Sequence, residues 1–140
     1  MTKTSDIASE ISIIMPLIGR RILLDFFQSV DISQSQLLTI MAVHSKGTCR
    51  LSELSRAMEI SNPTASGIVD RLVQNNYVIR TLDVNDRRAV CISLSAKGAQ
   101  IAKKFQRTVQ KKWYSILIEL RQKDQDDFIR ILRDIKERIT

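Results

Sequence analysis

The sequence of 140 residues has little of what most enzymes, secreted proteins and membrane proteins require. Two cysteines, Cys49 and Cys91, are too few for a disulfide framework, which indicates a reducing compartment. One histidine and four glycines, without a phosphate-binding glycine loop, leave little for catalysis, so we predict that the protein is not an enzyme. No apolar run approaches the roughly 20 residues of a membrane span, and the N-terminus lacks the layout of a secretory signal. We therefore expect a cytoplasmic protein without a membrane partner.

Residues that bind metals are equally sparse. His44 and Cys49 are close in sequence, but a closed zinc site needs about four ligands and no further ligands accompany these two. We predict no metal site and no cofactor. Either Cys49 or Cys91 could sense oxidants if its thiol were exposed and its pKa were lowered, although no activating group stands beside it in the sequence.

Basic charge, by contrast, is plentiful. The chain has 22 Lys and Arg residues against 15 Asp and Glu residues, and its net charge of +7 favours polyanionic partners. Residues 97–123 contain eight basic side chains and one acidic side chain. Most of these belong to one face of a predicted helix, which we expect to be solvated and which includes Lys103, Lys104, Arg107 and Lys111.

Apolar periodicity predicts helices at both ends of the chain. An N-terminal stripe has spacings of three and four residues and contains Pro16, which should kink the helix or mark its start: Ile7, Ile11, Ile14, Ile18 and Ile22. A long helix that Ser95 caps has Ala102, Phe105, Val109, Trp113, Ile116, Leu117 and Leu120 in one arc, and a final helix has Phe128, Ile131, Leu132, Ile135 and Ile139. Three such stripes exceed what one small domain can cover, so we expect a homodimer.

The middle of the chain has the pattern of a helix-turn-helix. After a short apolar helix that begins within DISQSQ (31–36), LSELSRAM (51–58) and NPTASGIVDRLVQNN (62–76) are compact helices with a tight turn between them. Ser61 should cap the second helix, with Pro63 in its first turn, and Asn76 should end it in left-handed geometry. Glycine in mid-helix lowers helix stability by about 1 kcal/mol relative to alanine. Gly67 therefore either allows a ligand to approach the helix closely or is simply tolerated.

A hairpin follows the second helix. YVIRTL (77–82) and RAVCISL (88–94) are rich in β-branched residues, and the segment 83–87 between them contains an Asn and two Asp residues typical of turns. Val90, Ile92 and Leu94 should share the packed face of the second strand, whereas Cys91 should point away from it. The hairpin resembles the wing of a winged helix, with Arg87 and Arg88 near its tip.

These elements predict contacts with DNA. The second helix opens with short side chains that let its backbone approach a groove, namely Asn62, Pro63, Thr64, Ala65 and Ser66. Their hydroxyls and amides can read base edges, and Ala65 or the Thr64 methyl group can contact a thymine methyl. Arg71 could bind a phosphate, pair with Asp70 or read a base. Arg87 and Arg88 can enter the adjacent minor groove, where the negative potential is strongest.

The combined pattern resembles the MarR-type winged helix-turn-helix transcriptional regulators. Over about 31–98, the D-R-L, D-x-R and L-T-x-x-G motifs of that family match Asp70, Arg71 and Leu72; Asp86 and Arg88; and Leu94, Ser95 and Gly98, with serine in place of threonine. The resemblance implies one domain over 1–140 that is mainly α with a small β-wing. It would consist of a winged helix-turn-helix lobe over about 33–94 and dimerisation helices over about 6–30 and 95–139.

The resemblance also implies a function. We expect a repressor that binds a pseudopalindromic operator in double-stranded DNA and releases it when a small aromatic or phenolic ligand binds in a pocket whose residues are not assigned. An ion pair of Asp86 with Arg88 would brace the wing and leave Arg87 the freer of the two arginines. The alternatives are a winged-helix adaptor that binds proteins and a repressor that responds to cysteine oxidation.

Overall fold

The computed structural model describes residues 3–140, and this part of the chain contains six helices and three short strands. The elements in chain order are α1 (Lys3–Phe27), α2 (Gln34–Lys46), β1 (Cys49–Arg50), α3 (Leu51–Ala57), α4 (Asn62–Gln74), β2 (Val78–Leu82), β3 (Val90–Leu94), α5 (Ala96–Leu117) and α6 (Gln122–Ile139). This confirms the predicted fold class, which is mainly α with a small β-wing. No helix among these residues is both long enough and apolar enough to cross a membrane.

Helix α1 is continuous through Pro16, so the predicted alternative in which the helix starts near this proline is wrong. Proline removes one backbone donor, but Pro16 is exposed and water can reach the carbonyl group that loses its partner. Further along α1, Ile22 and Phe26 are buried. The C-terminal part of α1 therefore joins the core, while the part before Ile18 is exposed almost throughout.

Serine caps begin three of the helices. Ser33 Oγ accepts a hydrogen bond from the Gln36 backbone N–H at 3.2 Å, and the Gln36 side chain accepts one from the Ser33 N–H at 3.0 Å. Ser61 Oγ accepts from the Thr64 N–H at 3.2 Å, and Ser95 caps α5 in the same way. These bonds satisfy helix donors that have no partner within the helix, and the predictions for Ser61 and Ser95 are confirmed.

Two non-glycine residues adopt left-handed backbone conformations, one after each helix of the helix-turn-helix. Asn76 has φ 63°, which confirms the predicted stop after α4. Glu59 has φ 56° in the turn between α3 and α4, where the Ile60 N–H donates to the Ser55 carbonyl oxygen at 3.0 Å. These conformations carry strain that the surrounding helix contacts must offset, since left-handed geometry is unfavourable for residues with a Cβ.

The sheet is antiparallel, and β3 lies between β1 and β2. Ile92 is paired with Arg80 of β2 on one side and with Cys49 of β1 on the other. The hairpin was predicted correctly, although its second strand begins at Val90 rather than at Arg88. Strand β1 was not predicted because a two-residue strand has no periodicity of its own and exists only through its pairing with β3.

One hydrophobic core joins the lobe to the flanking helices. Phe26 of α1 packs edge-on against Phe105 of α5, with 5.2 Å between ring centroids. Fully buried side chains from α2, α3, α4 and β3 complete the core: Leu37, Ile40, Leu54, Val69, Leu72 and Ile92. Helix α6, in contrast, contains no buried residue, and its contact with α5 includes the rings of Trp113 and Phe128 at 5.7 Å. Leu120, predicted on α5, lies in the connection before α6.

Candidate nucleic-acid interface

Helix α4 divides into a buried face and an exposed face. Ala65, Val69 and Leu72 point into the core. The exposed positions repeat at helical spacing and form a strip along the other side, which we call the α4 strip: Asn62, Pro63, Thr64, Gly67, Asp70, Arg71 and Gln74. The capped N-terminus of α4 and this strip form the surface that a helix-turn-helix presents to a major groove.

The structure revises the predicted run from Asn62 to Ser66. Ala65 is 1% exposed and belongs to the core rather than to the α4 strip, because its position places it on the same face as Val69 and Leu72. Asn62 and Thr64 are exposed but already have partners within the lobe. The Ser55 hydroxyl donates to Asn62 Oδ1, and the Thr64 hydroxyl lies 2.7 Å from Ser61 Oγ.

The bonds to Ser55 and Ser61 leave part of the Asn62 and Thr64 side chains available to a ligand. Asn62 retains the two donors of its amide nitrogen, and Thr64 retains its methyl group. Pro63 is also exposed, and Ser66 is half-buried beside it. The first turn of α4 is therefore an ordered surface, in which Ser55 and Ser61 restrict the side chains that could face a ligand.

Asp70 forms an ion pair with Arg80 of β2 rather than with Arg71. Arg80 Nη2 lies 2.6 Å from Asp70 Oδ1, and both side chains are partly exposed. This bond ties the middle of α4 to the wing. It also removes one of the three roles considered for Arg71, which makes no ion pair within residues 3–140 and is exposed on the α4 strip. The guanidinium of Arg71 is thus free to meet a phosphate or a base.

Side-chain to backbone hydrogen bonds stiffen the tip of the wing. Asp83 Oδ1 accepts from the Asn85 N–H at 2.9 Å, and Asp86 Oδ1 accepts from the Arg88 N–H at 3.0 Å. The Ala89 N–H also donates to the Asp86 carbonyl oxygen at 3.0 Å. Such turns rely on Asp and Asn side chains that reach the backbone two residues ahead, and they hold Arg87 and Arg88 on an ordered loop.

The predicted ion pair between Asp86 and Arg88 is replaced by that backbone bond. Because the Asp86 carboxylate binds the Arg88 N–H, the guanidinium of Arg88 is left without an ion pair in the described part of the chain. The ion pair that braces the wing joins Arg50 of β1 to Asp83, with Arg50 Nη2 2.8 Å and Arg50 Nε 3.1 Å from Asp83 Oδ2. Arg87 and Arg88 are therefore both exposed cations.

A cavity of about 270 Å³ lies where the wing meets the helix-turn-helix. Its lining includes two guanidinium groups and two further polar side chains, and consists of Arg50, Leu51, Ser52, Asn62, Arg88, Ala89 and Val90. Donors from β1, α3, α4 and the wing therefore converge on one space. This arrangement suits an anion of the size of a phosphate group, since phosphate oxygens accept hydrogen bonds from arginine, serine and amide donors.

The bond network lowers the pKa of Asp83. The Asn85 N–H and the Arg50 guanidinium stabilise its carboxylate, so its pKa lies below the ordinary value of 3.8. We expect Asp83→Asn to lower the free energy of unfolding at neutral pH, because asparagine keeps an oxygen acceptor but loses the charge that Arg50 binds. Since the folded pKa is depressed, this contribution is present above the unfolded pKa and disappears as the pH falls through the folded value.

Urea denaturation of both proteins, from neutral pH down to about pH 2.5, would measure this difference. The difference between the two proteins in the free energy of unfolding should shrink toward the acidic end. Asp126→Asn on α6 is a suitable control, because it removes a carboxylate that does not belong to the wing. A difference between the wild type and Asp83→Asn that stayed constant over the whole pH range would contradict the assignment.

The two cysteines lie on opposite faces of the sheet. Cys49 pairs with the buried Ile92, whereas Cys91 pairs with Arg50 on the other face. Burial raises the pKa of Cys49 above its ordinary value of 9.0, and the nearby Glu53 acts in the same direction. Cys49 is therefore a protonated core residue at neutral pH, which disfavours its reaction with oxidants.

Comparison with known proteins identifies the domain. Residues 32–90 match the model of the MarR family. A MarR family protein from Bacillus stearothermophilus has the same fold over 99% of this chain and 98% of its own length, with a TM-score of 0.85 and 21% identity. Residues 32–90 form a winged-helix domain of the MarR type. The family consists of transcriptional regulators and not of enzymes, which confirms that prediction.

A transcriptional repressor and a structure bound to DNA are also similar to this chain. The HTH-type transcriptional repressor MdtR of Bacillus subtilis is 25% identical over 101 residues, which span 70% of this chain and 65% of that repressor. A mutant of MepR from S. aureus, solved bound to an oligodeoxyribonucleotide, shares the fold with a TM-score of 0.66 and 16% identity, over 92% of this chain and 97% of that chain.

Sequence reasoning missed two arginines of this MarR-type site. Arg50 occupies β1, and its role depends on the pairing of that strand with β3. Arg80 was recognised as part of a strand but not as the partner of Asp70, which is ten residues away in sequence and adjacent only after folding. A sequence signal existed for neither pair, because charge complementarity between distant residues cannot be distinguished from ordinary surface charge.

Proposed function

We propose that this chain is a DNA-binding transcriptional regulator that represses genes from a pseudopalindromic operator. The observation that carries the proposal is the cavity that Asn62 of the α4 strip and Arg88 of the wing both line, with the exposed Arg87 next to Arg88 in the chain. A MepR mutant with the same fold is bound to an oligodeoxyribonucleotide, which supports the proposal that this chain binds DNA. In this proposal α4 enters a major groove and the wing tip enters the neighbouring minor groove.

Side chains on this surface would have two different roles, positioning the protein on DNA and reading the base sequence. Arg87, Arg88 and Arg50 would bind phosphates or the minor groove and set the position of the protein. Thr64, Ser66 and Arg71 would contact base edges, and Asn62 and Pro63 would approach the backbone at the start of α4. The basic face of α5 stays solvated, where Lys104 also donates to the Ser29 carbonyl oxygen at 3.4 Å.

The protein would act as a homodimer. All residues from Asp6 to Leu17 are exposed, although they include an apolar stripe, and α6 exposes a second stripe that includes Ile131, Leu132, Ile135 and Ile139. Most of the stability of a helix in a protein comes from the packing of its apolar face, so these two uncovered faces are unfavourable in water. A second copy of the chain would cover these faces, and two-fold symmetry would place the two α4 helices about 34 Å apart, one turn of DNA.

A small anionic aromatic molecule would relieve repression. A cavity of about 440 Å³ lies between α1 and the first turn of α2, with Pro16, Arg20, Leu23, Leu24, Phe27 and Gln34 in its lining. Phe27 and the leucines would contact a ring, and Arg20 would pair with its charge. Such a ligand releases DNA only if it binds more tightly to a dimer whose α4 spacing no longer matches the operator.

Substitution of Arg87 tests the proposed contact with DNA. Fluorescence anisotropy with the promoter of the protein's own gene, and with a scrambled duplex, should show preferential binding of the promoter by the wild type. Arg87→Ala should weaken binding to both duplexes and lower the slope of log affinity against log salt by roughly one unit per protomer, because each lobe of the dimer loses one phosphate or groove contact.

Arg133→Ala is the matched control, because Arg133 is an exposed arginine of α6 and lies outside the lobe. Its salt slope should equal that of the wild type. Equal affinities of the wild type for promoter and scrambled duplexes over a range of salt would contradict sequence-specific regulation. No binding to either duplex would favour the alternative, a winged-helix adaptor that binds proteins.

A further inference from the structure

Gly67 lies in the middle of the α4 strip, where a side chain would be expected. A Cβ added at this position would have no heavy atom within 4 Å, apart from the neighbouring helix backbone. The chain around it is an ordinary helix, and its φ is not positive. Neither packing nor backbone conformation within the lobe therefore requires glycine at this position.

Two other glycines show what such requirements look like. A Cβ at Gly98 would lie 2.0 Å from the Tyr77 carbonyl oxygen, and Gly47 has φ 75° at the end of α2. Gly67 meets neither condition, yet glycine in a helix interior lowers stability relative to alanine through its backbone entropy. The missing side chain costs stability without any compensating contact in the lobe.

The neighbours of Gly67 turn this gap into a shallow depression. Pro63 and Thr64 lie one turn before it and Asp70 and Arg71 one turn after it, and all four are exposed. The Asp70 carboxylate is paired with Arg80, so the charge beside the depression is neutralised. The free guanidinium of Arg71 then makes the C-terminal edge of the depression attractive to an anionic ligand.

We propose that Gly67 is a specificity-determining position, because its missing side chain lets the middle of α4 lie directly against base-pair edges in the major groove. This inference rests on the proposed DNA-binding function. An added Cβ would hold the helix away from the groove floor, and the Thr64 methyl group and the Arg71 guanidinium would then lose base contacts, since such contacts and hydrogen bonds need separations of about 3 to 4 Å. Contacts of the wing with phosphates would be less affected.

The test compares the wild type with Gly67→Ala. A random-sequence duplex library is first selected with the wild-type protein, and the enriched duplex and a scrambled duplex are then titrated with both proteins. Gly67→Ala should bind the enriched duplex about tenfold more weakly and the scrambled duplex equally well. Its thermal midpoint should rise by a few degrees, because alanine is the better helix former.

Gly19→Ala is the control. Gly19 is also inside a helix, and a Cβ there would likewise have no heavy atom within 4 Å, but it belongs to α1 and not to the lobe surface. Because Gly19 lines the cavity between α1 and α2, the titrations contain no aromatic ligand. It should raise the thermal midpoint in the same way and leave both DNA affinities unchanged. If both variants are more stable but only Gly67→Ala binds the enriched duplex more weakly, the weaker binding results from a lost DNA contact and not from a change in helix stability.

The possible failures are distinguishable. If the wild type enriches no sequence, the proposed function and this inference fall together. If the wild type enriches a duplex that Gly67→Ala binds with equal affinity, the inference alone is overturned. It is also overturned if Gly67→Ala weakens binding to both duplexes equally, or if the variant melts at a lower temperature than the wild type, since glycine would then serve the fold.

Discussion

Gly98→Ala is expected to destabilise the lobe by about 3 kcal/mol, because the new Cβ would collide with backbone atoms that cannot rotate away. It would lie 2.0 Å from the carbonyl oxygen of Tyr77 and 3.0 Å from the carbon of the same group. That carbonyl also accepts the Ser95 N–H at 3.0 Å, and the Ser95 hydroxyl donates to the Asn76 carbonyl oxygen at 2.5 Å. The start of α5 would have to move away from the end of α4, which would break both bonds.

Thermal and urea denaturation would measure this effect, and a loss of this size lowers the melting temperature by roughly 10 °C in a chain of this length. The free energy of unfolding of Gly19→Ala should change in the opposite direction, since nothing lies within 4 Å of its added Cβ. The pair therefore compares the same chemical change with and without a clash. Unchanged stability of Gly98→Ala would contradict the close packing of α5 against Tyr77.

Ile135→Asp is expected to convert the proposed dimer to a monomer. Ile135 is 45% exposed in the single chain and would become buried when α6 meets a second copy. Two-fold symmetry introduces the aspartate twice, and an unpaired buried charge costs several kcal/mol. Light scattering at micromolar concentration should give the mass of one chain, 16.0 kDa, where the wild type gives twice that value.

The same variant should lose DNA affinity by about a hundredfold or more, because two linked lobes bind two half-sites with a high effective concentration and a single lobe does not. Gln122→Asp is the control, since it adds the same charge at an exposed polar position of α6. It should remain dimeric and bind DNA normally. A wild-type mass of 16.0 kDa at micromolar concentration would refute the dimer itself.

Local signals in the sequence were sufficient for most of the secondary structure. Ser61 and Ser95 predicted helix starts because a serine cap acts on donors within the next three residues. Asn76 predicted the end of α4 for a similar reason, since its left-handed conformation depends on its own side chain and backbone. The hairpin followed from alternation within each strand and from the Asp and Asn residues between the strands. The predicted helix start near Pro16 was wrong, because the cost of one proline, about 3 kcal/mol, did not end a helix of 25 residues.

The candidate site was predicted in outline and not in detail. The sequence placed Asn62 to Ser66 at the start of a helix and Arg87 and Arg88 on a wing. The spacing of Ala65 from Val69 and Leu72 already indicated an inward-facing side chain, and the interpretation of Ala65 as a base contact overlooked this spacing. Sequence reasoning also assigned the brace of the wing to Asp86 and Arg88, which are neighbours in sequence, whereas the structure uses Asp83 and Arg50.

The sequence by itself determined the order of the helices, their caps, the hairpin and the family of the domain, because these depend on interactions between residues a few positions apart. The tertiary structure alone decided the pairing of β1 with β3, the ion pairs of Arg50 with Asp83 and of Arg80 with Asp70, and the tight contact at Gly98. Each of these joins groups that are distant in the chain, and their distances are set by how the core packs. No local sequence pattern predicts that packing, so these contacts can be identified only in the folded molecule.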